Sequence, residues 1–403
     1  MKKIIKPCVI GLGYVGLPIF LKLSKSFLTC GYDIKKSRIQ NLKRRKDINL
    51  EFKKKDFILK KNSFFTSTKN QIKDSNFFIV TVPTPITKNK KPDLKFIKIA
   101  FECIKNFLKK DDIIVLESTV YPGVTENFCG SILKKNKKKL VLNKDFFLGY
   151  SPERINPGDK SHSIEKINKI VSYPNKECLN SFKKVYTKLG KKIFYTNCIK
   201  EAETAKVVEN IQRDLNIAFI NEIFIFCHKS KIQFDEVIKL ASTKWNFLKF
   251  KPGLVGGHCL PVDPYYFSEA AKKVGQKTKV TLSGRYTNNF MTKFVSSLIL
   301  KKIRDEKLNK KKILLAGMTY KKNVPDFRNS LSIEIFNIIK KKHPNVVAYD
   351  PYVNPNIISN KNIKNRVSIN KYDQVFFLTD HSIFKKYKKN KNKKFTFLFE
   401  KMN

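Results

Sequence analysis

Gly11-Leu-Gly-Tyr-Val-Gly16 sets three glycines at the spacing that lets a main chain wrap a pyrophosphate. Gly11 permits a tight turn, Gly13 leaves room for phosphate against the backbone, and Gly16 lets a following helix pack closely, its N-terminus attracting negative charge. Asp33 follows Gly11 by 22 residues and closes the next apolar run. A carboxylate there accepts hydrogen bonds from a ribose 2′-hydroxyl and repels a 2′-phosphate, which favours NAD over NADP. A lone Gly-x-Gly-x-x-Gly is a weak signal, and it gains weight from the strand pattern before it and the helix pattern after it.

A second segment, Lys251-Pro-Gly-Leu-Val-Gly-Gly-His-Cys-Leu-Pro-Val-Asp-Pro264, surrounds Cys259 with backbone-permissive residues and places Asp263 nearby. A thiolate is soft, nucleophilic and a good leaving group, so it suits an intermediate that forms and is then hydrolysed. Taken alone, a cysteine is more often a small buried hydrophobe. Lys206, Asn210 and Arg213 recur at i, i+4 and i+7 of a helical pattern. They therefore share one face, which either stabilises a developing oxyanion or is a solvated stripe. Glu153 and Arg154, in Tyr150-Ser-Pro-Glu-Arg-Ile-Asn-Pro-Gly-Asp159, offer a carboxylate in a constrained loop, suited to a general base or to a surface ion pair.

The elements that must position these groups follow from periodicity. Apolar runs at Ile4 to Ile10, Phe27 to Asp33, Phe77 to Val82 and Ile113 to Glu117 alternate with helical patterns from Tyr14, from Lys35 and over Phe96 to Leu108. That alternation predicts βαβ units and a parallel sheet, with Pro83, Pro85, Pro122 and Gly123 at strand ends, where doubly wound sheets place ligands. A run without Gly or Pro from Glu201 to Lys231 predicts a long helix. Helical character returns after the Gly- and Pro-rich loop and is predicted to continue to about Arg304. A second strand-and-loop pattern starts at Lys311, with a helix from Ser330 and strands at Val346 to Tyr349 and Gln374 to Leu378. The expected plan is α/β: two Rossmann-like doubly wound domains, residues 1–198, which carry the NAD-binding glycines, and residues 305–403, joined by a long-helix region over 199–304. The chain length of 403 residues exceeds what one core usually supports.

The formal charge of +50 invites a polyanion reading. Only nine of the 83 basic residues are arginine, however, and the lysines are spread over the whole length. Base reading and bidentate phosphate contacts favour the Arg fork, so solvated lysine faces are expected and nucleic acid is not. Eight cysteines without a Cys-x-x-Cys pair predict no disulfide framework, no metal site and a reducing compartment, the cytoplasm. The lysines and apolar run of Met1 to Pro18 mimic a signal peptide, but Lys6 and Pro7 interrupt the run. No stretch reaches the ~18 to 20 apolar residues of a membrane span, so no membrane insertion is expected.

Together these segments resemble the UDP-glucose/GDP-mannose dehydrogenase family. The resemblance rests on Gly11 to Pro18, Val82-Pro-Thr-Pro85, Glu117-Ser-Thr-Val-Tyr-Pro-Gly-Val-Thr-Glu126, Ser151-Pro-Glu-Arg154, Gly256-Gly-His-Cys-Leu-Pro-Val-Asp263 and Gly317-Met-Thr-Tyr-Lys-Lys-Asn-Val-Pro-Asp-Phe-Arg-Asn-Ser330, in the family's order. Within it, the Ser151 segment and Lys244-Trp-Asn-Phe-Leu248 resemble the UDP-N-acetylglucosamine 6-dehydrogenases of bacterial surface-polysaccharide synthesis. The resemblance implies oxidation of a UDP-sugar C6 alcohol to a carboxylate with two NAD+ through a thiohemiacetal and a thioester on Cys259.

By the same resemblance Lys206 stabilises the C6 oxyanion with help from Asn210, while Asp263, Glu153 and Thr119 position water and transfer protons. Gly11, Leu12, Gly13, Tyr14, Val15, Gly16, Asp33, Arg38, Thr84, Thr119 and Arg328 match positions around NAD. Glu153, Arg154, Ile155, Lys206, Asn210, Arg213, Gly253 and Lys321 match positions around the nucleotide sugar, where cations offset the diphosphate. A homodimer through the central helices is implied, with Arg285 as a residue one chain contributes to the other. Pro261 is closer to the N-acetylmannosamine branch than to the N-acetylglucosamine one; Asn289 stands where an acid is common, and Met318-Thr-Tyr320 replaces Leu-Thr-Phe. UDP-ManNAc and UDP-glucose oxidation are therefore the competing enzymatic readings. A non-catalytic dinucleotide- or polyanion-binding protein is the competing class, and it would have no need of Cys259, Lys206 and Glu153 together.

Overall fold

In the computed structural model, residues 4–155, 163–353, 363–388 and 394–399 are described. The Asn156 to Asp159 end of the Ser151 segment thus lies outside the described residues. The chain divides into two compact units, Met1–Glu209 with Tyr265–Lys277, and Asn210–Pro264 with Thr278–Asn403.

The first unit carries β1 (Pro7–Ile10), β2 (Cys30–Tyr32), β3 (Phe64–Thr66), β4 (Phe77–Val80), β5 (Ile113–Leu116), β6 (Phe147–Tyr150), β7 (Lys169–Ser172) and β8 (Ile193–Thr196). Helices α1 (Gly16–Leu23), α2 (Lys36–Lys43), α3 (Lys95–Lys105), α4 (Gly130–Lys134) and α5 (Lys176–Tyr186) connect them. The sheet order is β3-β2-β1-β4-β5-β6-β7-β8, parallel except where β6 meets β7. Strands such as Phe77-Phe-Ile-Val80 are continuously apolar because both faces are covered. Phe78 and Val80 enter one core with Ile114 and Leu116. Phe77 and Ile79 enter the opposite core with Ile113 and Val115. This two-sided burial is the doubly wound plan, and its order reverses between β1 and β4, where such sheets bind ligands.

From the first unit α6 (Ile199–Lys229) runs into the second, which also holds α7 (Phe234–Ala241). Next come α8 (Asp263–Lys273), which starts in the second unit and continues in the first, and α9 (Lys279–Asp305). The remaining elements are β9 (Ile313–Ala316), α10 (Leu331–Lys342), β10 (Val347–Tyr349), β11 (Ile363–Lys364), β12 (Gln374–Phe377), α11 (Lys385–Lys388) and β13 (Phe395–Phe397). The second sheet has the order β11-β10-β9-β12-β13 and is parallel throughout. Met291, Val295 and Ile299 of α9 pack with Ile335 and Phe336 of α10 on the face of Leu315 and Phe376.

The two sheets share a device. Gly11 (φ +91°) leaves β1 with its N–H donating to Tyr32 O at 2.8 Å, and Leu12 N donates to Asp33 Oδ2 at 2.9 Å. Gly317 (φ +89°) leaves β9 with its N–H donating to Tyr349 O at 2.8 Å, and Met318 N donates to Asp350 Oδ2 at 2.7 Å. In each, a left-handed glycine turns the chain and a carboxylate at the next strand's end holds the turn.

Two expectations are corrected. The helical stretch leading to Arg304 is two helices, because Gly275 (φ +76°) ends α8 in a Schellman motif, with Gln276 N on Ala271 O at 2.9 Å and Gly275 N on Lys272 O at 3.1 Å. The first strand begins at Pro7 rather than Ile4, since Lys6 N is taken by the Asn76 side chain and proline has no ladder N–H.

Candidate active site

In the first unit the Gly11 to Gly16 turn is a pre-shaped cradle. A Cβ on Gly16 would lie 1.8 Å from Gly11 O, so only glycine lets α1 start this close to β1. A Cβ on Gly13 would meet nothing within 4 Å, and Gly13 is exposed, leaving open space over the loop. Leu12 is buried, while Tyr14 and Val15 are half-buried ahead of α1. Asp33 accepts from Leu12 N and Lys35 N, and its carboxylate has lone pairs left for hydroxyls. Open space, helix N-terminal amides and a carboxylate at the end of β2 fit NAD.

Arg38 acts as a strut behind this loop. It is 5% exposed, its Nε donates to Leu12 O at 2.8 Å, and its Nη1 pairs with Asp47 Oδ1 at 2.8 Å. The Val82 to Pro85 loop is pinned by Tyr266, whose hydroxyl donates to Thr84 O at 3.1 Å and Pro85 O at 3.3 Å.

Thr119 is half-buried after β5, in a loop that α6 holds in place. Glu203 Oε1 accepts from Thr125 N at 2.9 Å and Thr125 Oγ1 at 2.6 Å, and Glu203 Oε2 accepts from Gly123 N. Burial pushes Glu203 up to about 7 despite those donors. Lys206, one turn along the same helix, is 6% exposed. Arg154 pairs with Glu209, and Ile155 follows it half-buried. Glu153 is buried and receives Arg154 N at 2.6 Å and Ile155 N at 2.5 Å on Oε1. On Oε2 it receives Lys169 Nζ at 3.3 Å.

In the second unit Cys259 is exposed at a tight turn whose carbonyl accepts from Val262 N and Asp263 N, both at 2.9 Å, which starts α8. Asn210 Nδ2 donates to Asp263 Oδ2 at 2.5 Å. Gly257 (φ +93°) lies against Tyr320, and Asn329 Nδ2 donates to Gly257 O at 3.0 Å. His258 Nε2 meets Asp326 Oδ2 at 3.1 Å, and Arg328 grips the same carboxylate through Nε and Nη2 at 3.0 and 2.7 Å. Burial alone would raise the Asp326 carboxyl, but His258 and Arg328 hold it well below the usual range.

A second set of bonds reaches the same loop from α6 and α9. Asn221 exchanges bonds with Gly253 N and O at 2.8 and 3.1 Å and donates to Asn288 Oδ1 at 2.8 Å. Asn288 Nδ2 donates to Asp214 Oδ1 at 2.7 Å, and Asp214 pairs with Arg285 Nη1 at 2.5 Å. Arg285, expected to serve a partner chain, is instead 1% exposed and turned into its own unit, where Nη1 also points at Leu260 O at 3.5 Å. Arg213 is exposed on α6, and Lys321 is half-buried just after the β9 turn.

Within the second unit Cys259, Asp263, Asn210 and Gly253 therefore share one bonded framework. Glu153, Arg154, Lys206 and Thr119 belong to the first unit, as does the glycine cradle. Sequence reading missed Glu117, Lys169, Glu203, Asp214 and Asp326. Lys169 had one available signal, a lysine opening the apolar run Lys169-Ile-Val171 rather than lying in a polar stretch. Among the described residues no cluster of three His, Cys, Asp or Glu could hold a metal, and no helix is long and apolar enough to cross a membrane.

Comparison with known proteins agrees with this anatomy. The UDP-glucose/GDP-mannose dehydrogenase family pattern matches as its NAD binding domain over residues 5–190, its central domain over 200–290 and its UDP binding domain over 314–400. A UDP-N-acetyl-D-glucosamine 6-dehydrogenase of Salmonella typhi is 40% identical over 94% of this chain and 91% of its own. One from Pseudomonas aeruginosa is 42% identical over 87% and 84%. The solved UDP-D-ManNAc dehydrogenase of Pyrococcus horikoshii superposes with a TM-score of 0.82 at 28% identity, covering 94% of this chain and 90% of that one.

Proposed function

The chain belongs to the UDP-glucose/GDP-mannose dehydrogenase family, NAD-dependent enzymes acting on nucleotide sugars, and from that premise we propose that it oxidises C6 of UDP-N-acetylglucosamine to the uronate. The observation that carries this reading is Cys259, an exposed thiol side chain on a loop anchored from both sides, with the Asn210–Asp263 pair at the start of the following helix. The N-acetylglucosamine choice follows the two relatives at 40% and 42% identity.

NAD held by Gly11 to Gly16, Tyr14, Val15, Asp33 and Thr84, with Arg38 behind the loop and Arg328 assisting, supplies the hydride acceptor for both oxidations. Lys206 stabilises negative charge on the C6 oxygen, with Asn210 assisting. Cys259 adds to the C6 aldehyde, forming a C–S bond while its proton ends on oxygen, so the reactive carbonyl stays captive. At the thioester stage Glu153, Thr119 and Asp263 position the attacking water and take its proton, and the thiolate leaves as the uronate forms. Arg154, Ile155, Arg213, Gly253 and Lys321 hold the nucleotide sugar, the cations offsetting its diphosphate. Residues 1–198 serve NAD, 199–304 the reaction and dimerisation, and 305–403 the UDP moiety. A homodimer through the central helices is supported by the exposed Phe219 and Phe226 on α6 and Tyr286 on α9, and the cytoplasm is the compartment that the cysteine usage favours.

Pro261 supports a second reading, UDP-ManNAc oxidation, the activity named for the Pyrococcus structure. A panel of UDP-GlcNAc, UDP-ManNAc and UDP-glucose with NAD+ separates these, and about two NADH per sugar are expected from the true substrate. About one NADH per sugar would rule out the four-electron scheme. Cys259→Ser should abolish uronate release while NAD binding persists, and unchanged turnover would remove Cys259 from the mechanism.

A further inference from the structure

Glu153 sits in a buried arrangement that the roles above leave unused. Lys169 Nζ lies 2.8 Å from Glu117 Oε2 and 3.3 Å from Glu153 Oε2, with Lys169 and Glu117 fully buried. Tyr186 of α5 donates to the other Glu117 oxygen at 2.8 Å. The sheet explains the meeting. Leu116 is in register with Tyr150 between β5 and β6, so Glu117 and Glu153 both emerge beyond the same sheet edge. β7 is the strand that runs against its neighbour, and Tyr150 opposite Ser172 makes Lys169 fall opposite Glu153 when the register is continued. A parallel strand would carry its first residue to the far edge of the sheet, so the reversed strand brings a cation to the edge where ligands bind.

We propose that Lys169 is a positioning residue for the reaction, fixing one oxygen and the charge of Glu153 from behind while Glu117 and Tyr186 hold the ammonium in place. The proposal rests on Glu153 acting as the base in the reading above. Two backbone N–H groups occupy Glu153 Oε1, and Lys169 takes Oε2, so the carboxylate has a single orientation. Facing it are Lys169 from β7, Glu117 just after β5 and Tyr186 from α5, while its neighbour Arg154 pairs with Glu209. Burial would raise Glu153, but Lys169 and those backbone donors hold it below the ordinary carboxylate value. Glu117, by contrast, is pushed by burial up to about 7.

The test is the pH profile of kcat for Lys169→Met, Lys169→Arg and Lys169→Met/Glu117→Gln, the last leaving fewer buried charges should the single variant fail to fold. The expected result is a fall in kcat with little change in KM, and an acid limb displaced upward by about 1–3 pH units, the effect of removing a close opposite charge. Lys169→Arg should restore the limb at least in part. A folded Met variant whose acid limb stays where the wild type's lies would overturn the proposal, even if kcat falls. A wild type that turns over no UDP-sugar would instead overturn the functional reading, so the two failures are distinguishable.

Discussion

Asp214→Ala would strip Arg285 of the carboxylate with which it pairs at 2.5 Å, in a place where both side chains are 1% exposed. Removing one partner of a buried ion pair leaves the other charge poorly compensated, which costs about 3–5 kcal/mol. Two of its other contacts offset little: Asn289 Oδ1 at 3.2 Å is neutral, and Leu260 O at 3.5 Å is at the limit of hydrogen bonding. Asn288 loses less, because its Nδ2 also bonds the Asp214 carbonyl, which the substitution keeps. Hydrogen exchange of α9 amides reads this loss within the second unit, and protection should fall by about 100-fold to several thousand-fold, one decade for each 1.4 kcal/mol. Burial raises the Asp214 carboxyl even beside Arg285, so the pair itself is not a large net source of stability. Asp214→Leu/Arg285→Met should therefore recover most of the protection that the single variant loses. Less than a tenfold change in Asp214→Ala would refute the reasoning.

Glu203 keeps its proton in the fold up to about 7, above its ordinary 4.5, so the folded state binds more protons than the unfolded one between these values and stability falls as pH rises through that window. Urea unfolding at about pH 5 and about pH 8 should show this loss, on the order of 3 kcal/mol from Glu203, and Glu203→Gln should remove that share while leaving the one from Glu117, which burial also pushes up to about 7. Gly257→Ala combines a left-handed residue with a Cβ only 2.6 Å from the Tyr320 ring, so it should destabilise the second unit by about 1–2 kcal/mol from the backbone alone and lower kcat through the displaced neighbour Cys259. Thermal unfolding and steady-state kinetics check both parts, and a variant with wild-type melting and kcat would show that the loop tolerates the change.

Much of this protein is legible along the chain, because glycine spacing and apolar periodicity are local consequences of backbone sterics and burial. Gly11, Gly13 and Gly16 announce the cradle, since only glycine permits the φ of +91° at one position and a 1.8 Å approach at another. The long α6 follows from an uninterrupted helical pattern, and the doubly wound sheets from apolar runs buried on both faces. What the tertiary structure alone decides is which charged groups are taken out of water and by whom they are met. Lys169 is one lysine among many in the sequence, yet a reversed strand makes it a fully buried counter-charge for Glu117 and Glu153. Nothing local marks Arg285 for burial, yet it is sealed against Asp214, 71 positions away. Such partners are fixed by strand direction and helix packing, whose contacts span the chain, and no local periodicity encodes them.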